Sequence, residues 1–143
     1  MLLAEFQFFA ICIGIFSTLW IGWKFRVFWQ RLKFRLLKLR GAKGEKIAAG
    51  LLLKNGYRIL DTQVSLKGSI LVDEKPINFS TRVDYLVEKD GQEYLVEVKT
   101  GASASPSNIP TRRQLLEYTH LNHSNKILLI DASRKTIIRI DFP

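Results

Sequence analysis

The chain has 143 residues, 47% of them hydrophobic and 24% charged, a balance that fits one globular domain with an appendage and excludes long disorder or a collagen-like repeat. A single Cys excludes an internal disulfide framework. The net charge of +9 is a block: residues 1–23 carry −1, residues 24–46 carry +8 and residues 47–143 only +2, so the basic balance is not a DNA-binding signature of the whole C-terminal part.

Phe6 to Trp23 is an 18-residue run without a charge. As a helix it covers about 27 Å, one hydrocarbon core. Trp20 and Trp23 stand at one end, where indole rings favour the headgroup region. A secretory signal peptide would carry a base before the run; here Lys24 and Arg26 follow it instead. The expectation is a single transmembrane helix over residues 1–23, single-pass, with the C-terminal domain on the cytoplasmic side. Cys12 lies within the run and reads as an apolar filler.

Residues 24–43 mix bases with large apolar side chains. Phe25, Trp29, Leu32, Leu36 and Leu39 fall on one helical stripe, with Arg26, Arg31, Lys33, Arg35, Lys38 and Arg40 largely elsewhere. Such an amphipathic juxtamembrane helix suits anionic membrane lipids, each base near the surface contributing about 1 kcal/mol. A stripe that contacts nucleic acid is the sharper alternative. Gly41 to Gly44 marks the junction to a domain over residues 44–143.

Within that domain the pattern predicts a helix over Lys46 to Asn55, stopped by Asn55-Gly56. A strand follows over Tyr57 to Leu66, with a turn at Gly68, a short strand over Ser69 to Val72 and a turn over Asp73 to Pro76. Strands over Arg82 to Glu88 and Glu93 to Lys99 flank Asp90-Gly91. The Ser-, Ala- and Pro-rich stretch Gly101 to Pro110 reads as a mobile loop. Thr111 to Leu121 reads as a helix, and Lys126 to Asp131 and Thr136 to Asp141 as strands. This order gives an α/β fold, a mixed β-sheet flanked by helices.

Asp-Gly between two alternating apolar runs is a strong hairpin signal. A two-residue turn pairs Lys89 with Gln92, Val87 with Tyr94, Tyr85 with Val96 and Asp84 with Glu97. Val83, Tyr85, Val87, Tyr94, Val96 and Val98 then share the core face. The other face sets Asp84 beside Glu97, about 5 Å apart at Cβ, with Arg82 beside Lys99. Like charges directly opposite each other destabilise a sheet. Two arrangements compensate. One is a salt-bridge square, Asp84 to Lys99 and Glu97 to Arg82, contributing about 0–1 kcal/mol per pair. The other is a divalent cation, for which oxygen-only ligands favour magnesium or manganese. With Lys99 nearby, such an ion supplies a minimal kit for phosphodiester hydrolysis.

Val83-Asp84-Tyr85, then Val96-Glu97-Val98-Lys99, preceded by a helix opening Gly44-Glu45, resembles the PD-(D/E)XK nuclease superfamily. Arg113-Gln114-Leu115-Leu116-Glu117-Tyr118 on the second helix resembles the Gln-x-x-x-Tyr motif of its RecB-like branch. The acid at Glu45, where RecB-like members often place a His, is more like Holliday-junction resolvases, Mrr-type enzymes and NERD domains. Val83 replaces the family's proline. The resemblance implies a restriction-endonuclease-like fold and magnesium-dependent cleavage of DNA. It would make Asp84, Glu97 and the Val98 carbonyl metal ligands, Lys99 the catalytic lysine, Glu45 an accessory acid and Gln114 a further site residue.

Plainer readings stand beside these. Glu45 in a first helical turn complements the helix dipole. Thr111 and Gln114 form a capping-box spacing. Tyr118 is a DNA contact or half-buried packing. Arg112 and Arg113 stand where a helix N-terminus meets a phosphate, or are solvated. His120 and His123 lack a third zinc ligand. The sequence therefore reads as a membrane-anchored, magnesium-dependent deoxyribonuclease. The alternatives are a catalytically inactive nuclease-fold module that tethers DNA, or a protein-binding domain at the membrane. A homodimer would be natural, since two sites can address two strands.

Overall fold

The computed structural model describes residues 2–122 and 126–142, with side chains from residue 14 onward except 34, 37, 38 and 40. The chain divides into two compact units, residues 1–40 and 41–143. His123 lies outside the described residues.

Helix α1 runs over Leu2–Lys54. The junction expected at Gly41 to Gly44 therefore does not interrupt it. A helical glycine costs about 1 kcal/mol against Ala, but no Pro or cap follows to end the helix. In the first unit Ile15, Phe16, Leu19, Trp20, Ile21 and Trp23 are exposed around the helix. The Lys24 ammonium lies 5.4 Å from the centre of a Trp20 ring, and Phe25 and Trp29 meet edge-to-face at 6.0 Å. Phe25, Trp29, Leu36 and Leu39 of the expected stripe are exposed. Among the described residues no helix is long and apolar enough to cross a membrane. The expected span includes residues 6–13, whose side chains lie outside the description.

In the second unit α1 ends as the sequence predicts. Gly56 takes a φ of +81°, its N–H donates to the Leu53 carbonyl, and the Tyr57 N–H reaches back to Leu52 at 3.0 Å. This is a Schellman closure, which only a residue at ease in the left-handed region accepts cheaply. Strand β1 (Arg58–Val72) and strand β2 (Lys75–Lys89) form one long antiparallel ribbon. Asp73 and Glu74, with φ of +48° and +64°, close it. Gly68 is no turn: it sits mid-strand opposite Phe79. A side chain there would strike Leu121 Cδ2 and stand 2.8 Å from Phe79 Cζ. Glycine at this position permits close approach rather than reversal. Pro76 likewise belongs to the ribbon, paired with Leu71.

Strand β3 (Gln92–Lys99) pairs antiparallel with β2 through the Asp90-Gly91 turn, whose φ values are +53° and +74°. A 3-10 turn over Gly101–Ala104 leads to helix α2 (Ile109–Asn122), which carries the chain across to β4 (Lys126–Asp131), parallel to β3. Strand β5 (Thr136–Asp141) closes a five-stranded mixed sheet in the order β1-β2-β3-β4-β5. The segment expected as a mobile loop is tied down. Ala104 is buried, and the Thr111 hydroxyl donates to the Ser103 carbonyl at 2.7 Å.

Both faces of the sheet are covered. Ala48 and Leu52 of α1 pack on Tyr85, Val87, Val96, Leu128 and Ile130. Leu115 and Tyr118 of α2 pack on Leu66, Val83, Leu95, Ile127 and Leu129. Val83 thus lies on the face opposite Tyr85, against the expectation that the two share one core face. The alternation breaks at Asp84 and at Gln63, whose φ of +56° turns β1 at the same level. Both strands change face together, so each continues to bury apolar side chains beyond the break.

Candidate functional site

The hairpin register is the one read from the turn: Lys89 opposite Gln92, Val87 opposite Tyr94 and Tyr85 opposite Val96. There the ladder stops. One step further, the Asp84 carboxylate accepts the Val98 N–H at 2.8 Å. A side-chain oxygen takes the place of a strand carbonyl, and the two strands part around it. The acids are therefore not a regular facing pair, although the same two strand ends still bring them together. Glu45, Asp84, Glu97, Val98 and Lys99 line one cavity of about 250 Å³, with Gly41, Gly44, Thr100 and Ser103.

The helix reaches this cavity because its contact residues are small. Gly44 and Ala48 are buried one turn apart. A Cβ on Gly44 would stand 3.5 Å from Ala132 Cβ and 3.6 Å from Thr100 Cγ2. Next to Gly44, the Glu45 carbonyl accepts the Tyr85 hydroxyl at 2.9 Å, which fixes the helix over the sheet. Glu45 is thus an interior residue of α1, and the reading that it merely complements a helix N-terminus does not apply.

Glu97 is the most constrained acid. It is only 3% exposed, and both of its oxygens have partners. Lys99 Nζ lies 2.6 Å from Oε1, and the Tyr118 hydroxyl lies 2.7 Å from Oε2. The same hydroxyl lies 2.8 Å from the Arg82 carbonyl and accepts a hydrogen bond from Gln114 Nε2. Burial raises the Glu97 carboxyl above its ordinary range, and the Asp84 charge raises it further, against Lys99 and Tyr118. Burial also raises Asp84, opposed by the Val98 N–H and by the Lys99 and Arg82 charges. The Tyr118 phenol is pushed far up by burial and by Glu97, so it remains a donor. Tyr85 is raised by burial, with Glu45 and Asp84 adding to it.

This arrangement differs from the expected salt-bridge square. Of the four charged side chains of that square, Glu97 and Lys99 form an ion pair along one strand, and Arg82 contributes its backbone carbonyl to Tyr118. Tyr118, expected as a DNA contact or as packing, is 0% exposed and holds Glu97 from behind. Gln114 serves Tyr118 and not a capping box. The cap is Asn108, whose Oδ1 accepts the Thr111 N–H at 3.1 Å, so α2 begins at Ile109 rather than Thr111. An Asn two residues before Pro110 was the available signal. Arg112 and Arg113 are exposed on the first turns of α2 and do not line the cavity. Asp131, which sequence reading missed, is buried beside Lys99 in the sheet register. It caps the β4–β5 turn by accepting the Ser133 and Arg134 N–H groups.

The oxygen-only donor set fits a hard cation. Asp84 keeps one oxygen that makes no hydrogen bond among the described residues. Both acids are held near each other in a partly dehydrated site, where a cation relieves their repulsion. Among the described residues no group of three or more His, Cys, Asp or Glu stands close enough to hold a metal by side chains alone. A backbone carbonyl and waters would have to complete the shell, as magnesium sites commonly allow.

The class defined by this architecture is α/β, with a mixed five-stranded sheet between helices. No protein-family model and no curated protein matches the chain significantly. The crystal structure of SSO0001 superposes with a TM-score of 0.53 at 22% identity, covering 74% of this chain and 52% of that one. The likeness is one of fold, and the chain spans about half the length of that protein.

Proposed function

We propose that residues 41–143 form a PD-(D/E)XK-type nuclease domain with a restriction-endonuclease-like core, hydrolysing phosphodiester bonds in DNA. The observation that carries this reading is one cavity lined by Asp84, Glu97, Lys99 and Glu45. Asp84, Glu97 and the Val98 carbonyl would hold magnesium, or manganese in its place. The ion would supply charge neutralisation at a phosphoryl oxygen and a more acidic water. Lys99 orients Glu97 and carries the positive charge that developing phosphorane oxygens require. Glu45 accepts a proton from the attacking water. Tyr118 fixes the Glu97 carboxylate, and Gln114 fixes Tyr118. Arg112 and Arg113 offer phosphate contacts outside the cavity.

The proposal includes an anchor. The uncharged run over residues 6–23 and the apolar side chains exposed around α1 support a membrane-embedded N-terminus with residues 24–43 on anionic lipid. The basic flank sets the domain on the cytoplasmic side.

The test is cleavage of linear, circular and branched DNA by the full chain in neutral detergent with magnesium. Lys99→Ala and Glu97→Ala should each reduce it by about 100-fold or more. Cleavage that survives both substitutions overturns the proposal. A second reading, a tether without turnover, draws on the closed Glu97–Lys99 ion pair. Salt-sensitive DNA binding without metal-dependent cutting selects it.

A further inference from the structure

The distal half of the β1–β2 ribbon is amphipathic, and among the described residues its apolar side is uncovered. Leu66, Gly68, Ile70 and Val72 alternate on one face of β1, with Thr81, Phe79, Ile77 and, at the turn, Lys75 opposite them on β2. Ser65, Lys67 and Ser69 face the other way, opposite Arg82, Ser80 and Asn78. The apolar face is continuous with the core beneath α2, which ends near Gly68 at Leu121. Beyond it Ile70 is 52% exposed and Ile77 50% exposed. Leu71, on the polar face, is 73% exposed. Among the described residues β1 pairs only with β2, so its outer edge offers backbone N–H and C=O groups to another strand. Proteins usually blunt such an edge with proline, a bulge or charge. From Val64 to Val72 β1 has no proline and no register shift, and it carries one charge, Lys67.

We propose that this edge pairs with the same edge of a second copy, antiparallel and centred on Ile70. The two-fold register then sets Ile70 against Ile70 and Val72 against Gly68, both on the apolar face. The larger Val72 side chain flanks the strand position that has none. Ser69 meets Leu71 on the other face. Lys67 falls opposite Asp73 at the turn of the partner ribbon, so the single charge on the edge is matched by an acid rather than repelled. Cross-strand apolar and opposite-charge pairs of this kind are what stabilise a sheet. Overlap is confined to residues 67–73, and the two domains extend away at opposite ends of the joined ribbons. The result is an isologous dimer with a continuous ten-stranded sheet. It holds whether or not the cavity cleaves DNA.

The test uses the full chain in neutral detergent with Cys12→Ala, which removes the sole cysteine. Ile70→Cys should cross-link to a covalent dimer on mild oxidation, and Leu53→Cys, exposed on α1, should not. Sedimentation should give a dimer whose dissociation constant rises about tenfold for Lys67→Glu and recovers when Asp73→Lys is added. Ile70→Lys should yield a folded monomer whose melting temperature no longer depends on protein concentration, since this side chain is 52% exposed and outside the core. Cross-linking at position 70 no better than at position 53 overturns the proposal. So does a dimer that survives Ile70→Lys, which would place the contact elsewhere. Ribbon-dependent vesicle binding by a monomeric protein also overturns it, assigning the strip to lipid.

Discussion

Tyr118→Phe removes one oxygen from the back wall of the cavity and keeps the ring that packs against Leu66, Leu115 and Leu129. Packing is conserved, so the cost is one of hydrogen bonding. The hydroxyl has a single hydrogen, shared between Glu97 Oε2 at 2.7 Å and the Arg82 carbonyl at 2.8 Å. Donation to an ionised, buried carboxylate is worth about 1.5–3 kcal/mol. Gln114 is half-buried and can turn towards water, so its loss adds little. The expected destabilisation is about 2 kcal/mol at neutral pH. Urea titration of the full chain, read by pulse proteolysis of the C-terminal unit, measures it. The hydroxyl bond favours the charged form of Glu97, so the cost should shrink on acidification, as the raised carboxyl takes up a proton. A loss below about 0.5 kcal/mol, or one that is the same at every pH, would refute the assignment of this hydroxyl to Glu97.

Asp84 and Glu97 both have folded pKa values above the ordinary carboxyl range, so the native state binds more protons than the unfolded chain. Without metal, their contribution to stability should grow as pH falls from neutral toward about 4.5 and be lost as pH rises through the folded values. Urea midpoints across that window check this, and Glu97→Gln should flatten the trend. Asn108→Ala should cost about 1 kcal/mol by removing the cap of α2, measured in the same titration. Gly44→Ala should be tolerated or should stabilise by up to about 1 kcal/mol, because the new methyl makes ordinary contacts at 3.5 Å or more. Gly44→Ile should cost about 1–3 kcal/mol by forcing α1 off the sheet. Equal melting temperatures for the two Gly44 variants would count against that close contact.

The hairpin between β2 and β3 was legible because a type I′ turn fixes both loop length and register, and Asp90-Gly91 names that turn locally. The meeting of Asp84, Glu97 and Lys99 follows from it. The face of Val83 was not legible. The reversal at Asp84 depends on a left-handed Gln63 in the neighbouring strand, and no local pattern in Val83-Asp84-Tyr85 records it. The length of the ribbon was readable in principle, since Leu66, Gly68, Ile70 and Val72 alternate. Gly68 reads locally as punctuation, whereas packing against Phe79 and Leu121 makes it a spacer. The destination of Tyr118 depends on how α2 crosses the sheet. Helical spacing gave its face and its neighbour Gln114, but not Glu97.

Asp84 has two tasks in this architecture, and they separate chemically. Its carboxylate stands in for a missing main-chain partner of Val98, so truncation to Ala would loosen the splayed end of the hairpin as well as delete a charge. A dead alanine mutant would then be ambiguous between a broken scaffold and a broken reaction. Asparagine offers the same amide a carbonyl acceptor of the same reach while removing the negative charge. That swap makes position 84 the place where folding and chemistry can be tested one at a time.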